Sequence, residues 1–170
     1  MEQNQRVFRY RFDRRTLYWS GVHIVVFAIL GVALYLLYEG GYFSAWFTSL
    51  VVAILALMGL SIPRSIVLTD NAVEIRCLFD ITEIRRDEIA EVRVLTPQDM
   101  KWHVPLFGGY GFFGYYGHFL DIRHFDRVVI YASEWKNFVE ITDIYDDKVI
   151  VSCREAEQLV TLLKGGESIN

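Results

Sequence analysis

Between Leu17 and Pro63 the chain carries a single Asp, Glu, Lys or Arg, namely Glu39. So long an apolar stretch cannot be shared out over the surface of a small domain, and it predicts membrane segments. Leu17–Tyr38 is long enough to span hydrocarbon, which takes about 20 residues. Tyr18 and Trp19 stand near one end and Tyr35 and Tyr38 near the other, as an interfacial aromatic belt requires. His23 falls about one turn inside that belt with no acidic partner in sight, which reads as a neutral interfacial histidine. Glu39-Gly40-Gly41 is a tight turn. Tyr42–Ile62 is the second predicted span, opened by Tyr42, Phe43 and Trp46. So short a connection makes the two spans an antiparallel helical hairpin. A cleaved signal peptide is not expected, because the first span is long, no small-residue cleavage site follows, and a second span comes at once.

Charge sets the orientation. Arg6, Arg9, Arg11, Arg14 and Arg15 precede the first span and Arg64 follows the second, whereas the connecting turn has no basic residue. The positive-inside rule then places both termini in the cytoplasm. Residues 1–16 form a basic segment that lies against lipid headgroups or serves as an orienting tail. Residues 64–170 are acidic on balance, which argues against nucleic acid as a partner. Cys77 and Cys153 lie far apart in apolar contexts and read as reduced, buried thiols.

After Pro63 the apolar period changes from helical to two. Ile66–Leu68, Val73–Ile81, Ile89–Leu95, Arg127–Ala132, Asn137–Thr142 and Lys148–Val151 are predicted strands, with an irregularity at Ala90-Glu91. Ala156, Leu159, Val160 and Leu163 follow helical spacing, so a helix is predicted from about Arg154 to Lys164, with Ser152 and Glu155 at capping-box spacing. Residues 165–170 read as a disordered tail. The expected fold is α+β: a two-helix transmembrane hairpin over 17–63, then a domain over 64–164. That domain is an antiparallel β-barrel or sandwich closed by a C-terminal helix.

Within it, LFGGYGFFGYYGHF from Leu106 to Phe119 mixes glycines with aromatic residues in a way no regular element favours. It is expected to form a special loop and supplies most of the candidate binding or structural residues: Phe107, Gly108, Gly111, Phe112, Phe113, Gly114, Tyr115, Tyr116 and Gly117, with Trp102 just upstream. Gly109–Gly114 matches GxGxxG literally. The dinucleotide fingerprint also needs a strand before it and a helix after it, and neither context is present, so no nucleotide site and no cofactor is expected. His103, His118, Asp121 and His124 fit no metal-ligand spacing; strand parity would separate Asp121 from the two later histidines. Asp143, Asp146 and Asp147 lack the glycine and distal glutamate of a calcium loop and read as a solvated turn. No catalytic motif appears.

Pro105-Leu106-Phe107-Gly108, Gly111, Phe113-Gly114-Tyr115 and Gly117-His118-Phe119 resemble a family of bacterial pleckstrin-homology-like (PH) domains found in membrane-anchored proteins. Val129–Ala132, Asn137-Phe138-Val139 and Val149–Ser152 are similar to that family's later strands. The resemblance spans about residues 63–164; one departure is Cys153, where a proline usually follows Ser152. It implies a PH-like barrel and no particular activity. Eukaryotic lipid-binding relatives use a basic pocket near the first hairpin. Here that hairpin holds Asp70, Glu74 and Asp80 against Arg76, so phosphoinositide binding is not implied. The expected role is non-catalytic: recruitment of a protein partner, scaffolding or self-assembly at the inner membrane. The alternatives are binding of a lipid or small apolar ligand and, more remotely, a metal-dependent enzyme using His118, Asp121 and His124.

Overall fold

The computed structural model describes residues 5–37, 42–60 and 62–165, without the side chains of residues 43, 44 and 57–60. The Glu39–Gly41 turn, Ser61 and the tail beyond Gly165 lie outside the described residues.

The chain begins with a strand, β1 (Arg6–Arg9), in the segment that composition marks as a juxtamembrane tail. Phe8 is buried while Val7 and Arg9 face outward, the alternation of an edge strand with one core face. Asp13 then caps α1 (Arg14–Leu36), its carboxylate accepting from the Thr16 N–H at 2.7 Å. The helix has a mean hydropathy of 2.0 over its most apolar window and is almost wholly unburied, as only Thr16 and Ser20 are covered. Among the described residues it is the one helix long and apolar enough to cross a membrane. α2 (Tyr42–Leu60) follows, and its described apolar stretch is shorter, Ala45–Ala56. By that measure one span is clear, where the residue pattern predicts two.

The remaining strands are β2 (Pro63–Leu68), β3 (Ala72–Cys77), β4 (Ile81–Arg85), β5 (Ile89–Leu95), β6 (His103–Tyr110), β7 (Tyr115–Asp121), β8 (Asp126–Ala132), β9 (Phe138–Asp143) and β10 (Lys148–Ser152). They form two sheets, ordered β1-β2-β3-β4 and β5-β9-β10-β8-β7-β6. Of the two expected forms, barrel or sandwich, the barrel is excluded among the described residues, since no strand pairing joins the two sheets. The expectation of purely antiparallel strands also fails at one place, where β10 runs parallel to β8. The predicted Val73–Ile81 strand is two, because the chain turns back at residues 78–80 and β3 pairs with β4. The irregularity expected at Ala90-Glu91 is present as a register shift between Ile89 and Glu91.

The sheets close on a shared core. Phe8, Ile66 and Ile75 from one sheet meet Val92, Val139 and Ile141 from the other, and α3 (Ala156–Lys164) adds Ala156 and Leu159. A second cluster, built around Tyr115, Phe119, Val128 and Phe138, fills the space under β6–β8. Ser152 does not cap α3. β10 runs through it, and its hydroxyl accepts from the Ser133 N–H at 3.0 Å, so the helix starts later than the capping-box spacing predicts.

Candidate functional site

The glycine-aromatic stretch is a β-hairpin. β6 and β7 pair from His103–Asp121 to Tyr110–Tyr115, and residues 111–114 turn between them, closed by Gly111 N–H donating to Gly114 O at 2.8 Å. Composition predicts a loop here because glycine disfavours strands. Pairing overrides that preference, helped by the Tyr116 ring, which lies over Gly109 across the hairpin. Tyr116 faces Gly109 in register, and a Cβ on Gly109 would strike the Tyr116 ring. Tyr115, Tyr116 and Phe119 are fully buried. Burial pushes the Tyr116 phenol well above its ordinary pKa, and the Tyr115 phenol upward as well. The Tyr115 and Thr16 hydroxyls are close enough to interact weakly, but neither meets hydrogen-bond geometry with a described partner.

The turn is seated on α1. Ser20 Oγ accepts from the Phe113 N–H at 2.8 Å. Its single proton is shared between Thr16 O at 2.7 Å and Gly111 O at 3.1 Å. Phe112 packs against His23 and Phe27, with ring centroids at 6.0 and 5.8 Å, and Phe113 meets Phe12 edge-on at 6.0 Å. Gly111 holds φ at +83°, and a Cβ there would lie 2.9 Å from Trp19 Cβ. Gly111, Phe112 and Phe113 thus form a contact surface for the helix. Gly108 within β6, Gly114 in the turn and Gly117 within β7 also take positive φ.

The approach to α1 is held to the same domain. Tyr10 donates its hydroxyl to Tyr131 O at 2.9 Å, Ser133 donates to Arg11 O at 3.0 Å, and the Trp135 N–H reaches Asp13 Oδ2 at 3.4 Å. Burial alone would raise the Asp13 pKa, but the bonds from Thr16 and Trp135 hold it below the usual carboxylate value. The Arg15 guanidinium lies 5.5 Å from the Trp135 ring centre, and Trp135 stacks on Tyr115 at 4.4 Å. Arg14 opens the helix beside Arg15, and Arg6, Arg9 and Arg11 lie on and just beyond β1.

Among the described residues β6 is the outer strand of its sheet, and its free edge carries exposed Val104, Leu106 and Phe107, the last 73% exposed. Trp102 is half exposed and lies beside Arg123 at 5.9 Å. Leu106 and Phe107 stand next to the glycine run, yet the sequence did not mark them as an edge, because edge position is a property of strand order. Pro105, beside which the register shifts, is the one local sign that could have shown it.

The histidines are dispersed. Asp121 Oδ2 lies 2.9 Å from His124 Nδ1, because the chain turns at residues 122–125 and parity no longer applies. His118 is exposed opposite Phe107, and His103 is buried opposite Asp121. Among the described residues no three His, Cys, Asp or Glu side chains gather as a metal site. Asp143 accepts from the Tyr145 and Asp147 N–H groups at 2.8 and 2.9 Å, which makes that acidic segment a self-capped turn. Cys77 and Cys153 are buried free thiols, pushed by burial to about 11 and about 12.

No curated protein and no solved structure matches the chain. A family model, that of the bacterial PH domain, matches residues 64–166, most of the chain, from the second residue of β2 through α3. With two sheets, a closing C-terminal helix and that match, the chain belongs to the bacterial PH domain family.

Proposed function

We propose that this protein is a non-catalytic, membrane-anchored PH module that recruits a protein partner, or a second copy of itself, at the cytoplasmic face of a bacterial inner membrane. The anchoring is supported by β1 and β2, which flank the two apolar helices and pair with each other from Arg6–Leu68 to Arg9–Ser65. A chain that leaves the domain through α1 must come back to it through α2, so a spanning α1 implies a returning α2. Arginines stand on the domain side of that helical pair, which supports a cytoplasmic domain.

The observation that carries recruitment is the free edge of β6. Its outward N–H and C=O groups are a template for an added strand, and exposed Val104, Leu106 and Phe107 supply apolar contacts beside them. The seating of the β6–β7 turn on α1 holds that edge close to the bilayer. A second reading, retention of a lipid or other apolar ligand, is favoured by one feature: an apolar groove of about 510 Å3 between α1 and α2, lined by Phe27, Leu34, Val52 and Leu55 among others.

The test is a photo-crosslinking residue in place of Phe107, used in native membranes with the full chain. A discrete protein adduct, lost when Leu106 is replaced by Asp, supports the proposal. Adducts to lipid alone would overturn recruitment through this edge. A reporter fused after Asn170 that proves periplasmic would overturn the orientation.

A further inference from the structure

β1 and the start of α3 are far apart in sequence and enclose one groove. It has a volume of about 360 Å3 and is lined by Arg6, Val7, Phe8, Arg9 and Arg11 from the first strand and its exit, and by Arg154, Glu155 and Gln158 from the helix start. Arg76, Arg85, Arg93 and Arg123 each pair with a nearby carboxylate. Among the described residues, Arg6, Arg9, Arg11 and Arg154 make no such pair, and Glu155 is the one carboxylate lining the groove. Four arginines that make no carboxylate pair among the described residues therefore line one groove of a chain with more acidic than basic residues. Their mutual repulsion is a cost that an anion would remove.

The backbone adds donors. Tyr10 N–H bonds to Arg64 O across the β1–β2 ladder. In an antiparallel pair, inward and outward amides alternate. Phe8 therefore points its amide at β2 like Tyr10, and Val7 and Arg9 point theirs away from it, along the open edge of the sheet.

We propose that this groove binds a phosphate-bearing anion. Planar guanidinium forks match the several oxygens of a phosphate better than those of a single carboxylate, and the outward amides of β1 complete the donor set. Two sources fit the same chemistry: the headgroup of an anionic phospholipid, or a free phosphate-bearing metabolite. The headgroup source rests on the membrane reading of α1, because Arg11 comes just before the Asp13 cap and would then stand at headgroup level. The site is separate from the first hairpin, where β2 meets β3.

The test uses the full chain in two settings. In zwitterionic detergent micelles, where no bilayer is needed, the melting temperature is followed against inorganic phosphate, with polyglutamate at matched ionic strength as the competing acidic polymer. In phosphatidylcholine nanodiscs doped with phosphatidylglycerol, native mass spectrometry counts retained anionic lipid. The variants are Arg9→Gln with Arg154→Gln, and separately Gln158→Glu, which leaves every arginine in place. Arg127→Gln on exposed β8 is the control. A phosphate-dependent rise in melting temperature lost in both groove variants supports a free-phosphate source. Phosphatidylglycerol retention that falls about tenfold in both, and not in the control, supports the headgroup source. Equal responses in wild type and groove variants overturn the proposal, as does polyglutamate acting as strongly as phosphate. Failure of the chain to float with vesicles would defeat the anchoring, and the micelle arm would still read the groove.

Discussion

Ser20 and Phe113 are 93 residues apart, and the Phe113 N–H donates to Ser20 Oγ at 2.8 Å. That bond joins the apolar helix to the tip of the β6–β7 hairpin, and the rings of Phe112, His23 and Phe27 continue the contact along the helix. α1 is consequently fixed to the PH domain at its own side as well as through the chain.

Replacing Ser20 with Ala leaves the Phe113 N–H and the Gly111 carbonyl without this partner in a covered place. The expected loss of stability is about 1–3 kcal/mol, the cost of orphaning a buried polar group. It is read as a lower melting temperature of the full chain in nanodiscs, together with faster hydrogen exchange at Phe113 and unchanged exchange in β9 and β10. Unchanged exchange at Phe113 would refute the clasp.

Gly111 tests the same contact from the other side. At φ +83°, with Trp19 Cβ 2.9 Å from the place a new Cβ would take, Gly111→Ala is penalised twice. The left-handed backbone alone costs about 1–2 kcal/mol for an L-residue. Adding Trp19→Gly, which removes the Cβ that would be struck, should recover the steric part and leave the backbone part. A double-mutant cycle with no coupling between the two positions would sink this account.

β1 belongs to the core. Phe8→Ala should destabilise the protein by about 3–5 kcal/mol, the usual range for truncating a buried phenylalanine. A basic tail resting on headgroups would lose almost nothing. Chemical denaturation of the full chain in detergent separates the two outcomes.

His103 supplies a pH dependence. Burial lowers its pKa, and the opposing pull of Asp121 and Glu140 is weaker; Arg123 adds to the lowering. The unfolded chain therefore binds a proton more readily than the folded one below the ordinary histidine value of about 6.5. This group's contribution is fully present above that pH and declines as pH falls through the window beneath it. The carboxylates of Asp13, Asp99 and Asp121, all held low, lose theirs only at more acid pH, below the ordinary carboxylate value. His103→Gln should flatten the stability profile between the two regions. A profile identical to wild type would show that His103 does not titrate there.

Much of this was legible in the residues themselves. The apolar run gave α1, period-two alternation gave β5 and β8–β10 nearly to their ends, and helical spacing gave α3. The hairpin at Leu106–Phe119 was found as a feature but misread as a loop, since Gly109 is tolerable in a strand only with Tyr116 lying across it. β1 was hidden for a related reason: four residues with arginine at both ends look like a tail until Phe8 has a core to enter.

What the sequence determined by itself is local: which segments are apolar, their period, where the chain can turn, and on which side positive charge collects. These follow from neighbours along the chain. The tertiary structure alone decided that β1 pairs with β2 around the helical pair, that β10 runs parallel to β8, that β6 is left as an edge, and that Ser20 holds the turn at Phe113. Each depends on groups from about 20 to more than 90 residues apart meeting in space, and their pairing is selected by burial and hydrogen-bond satisfaction over the whole fold.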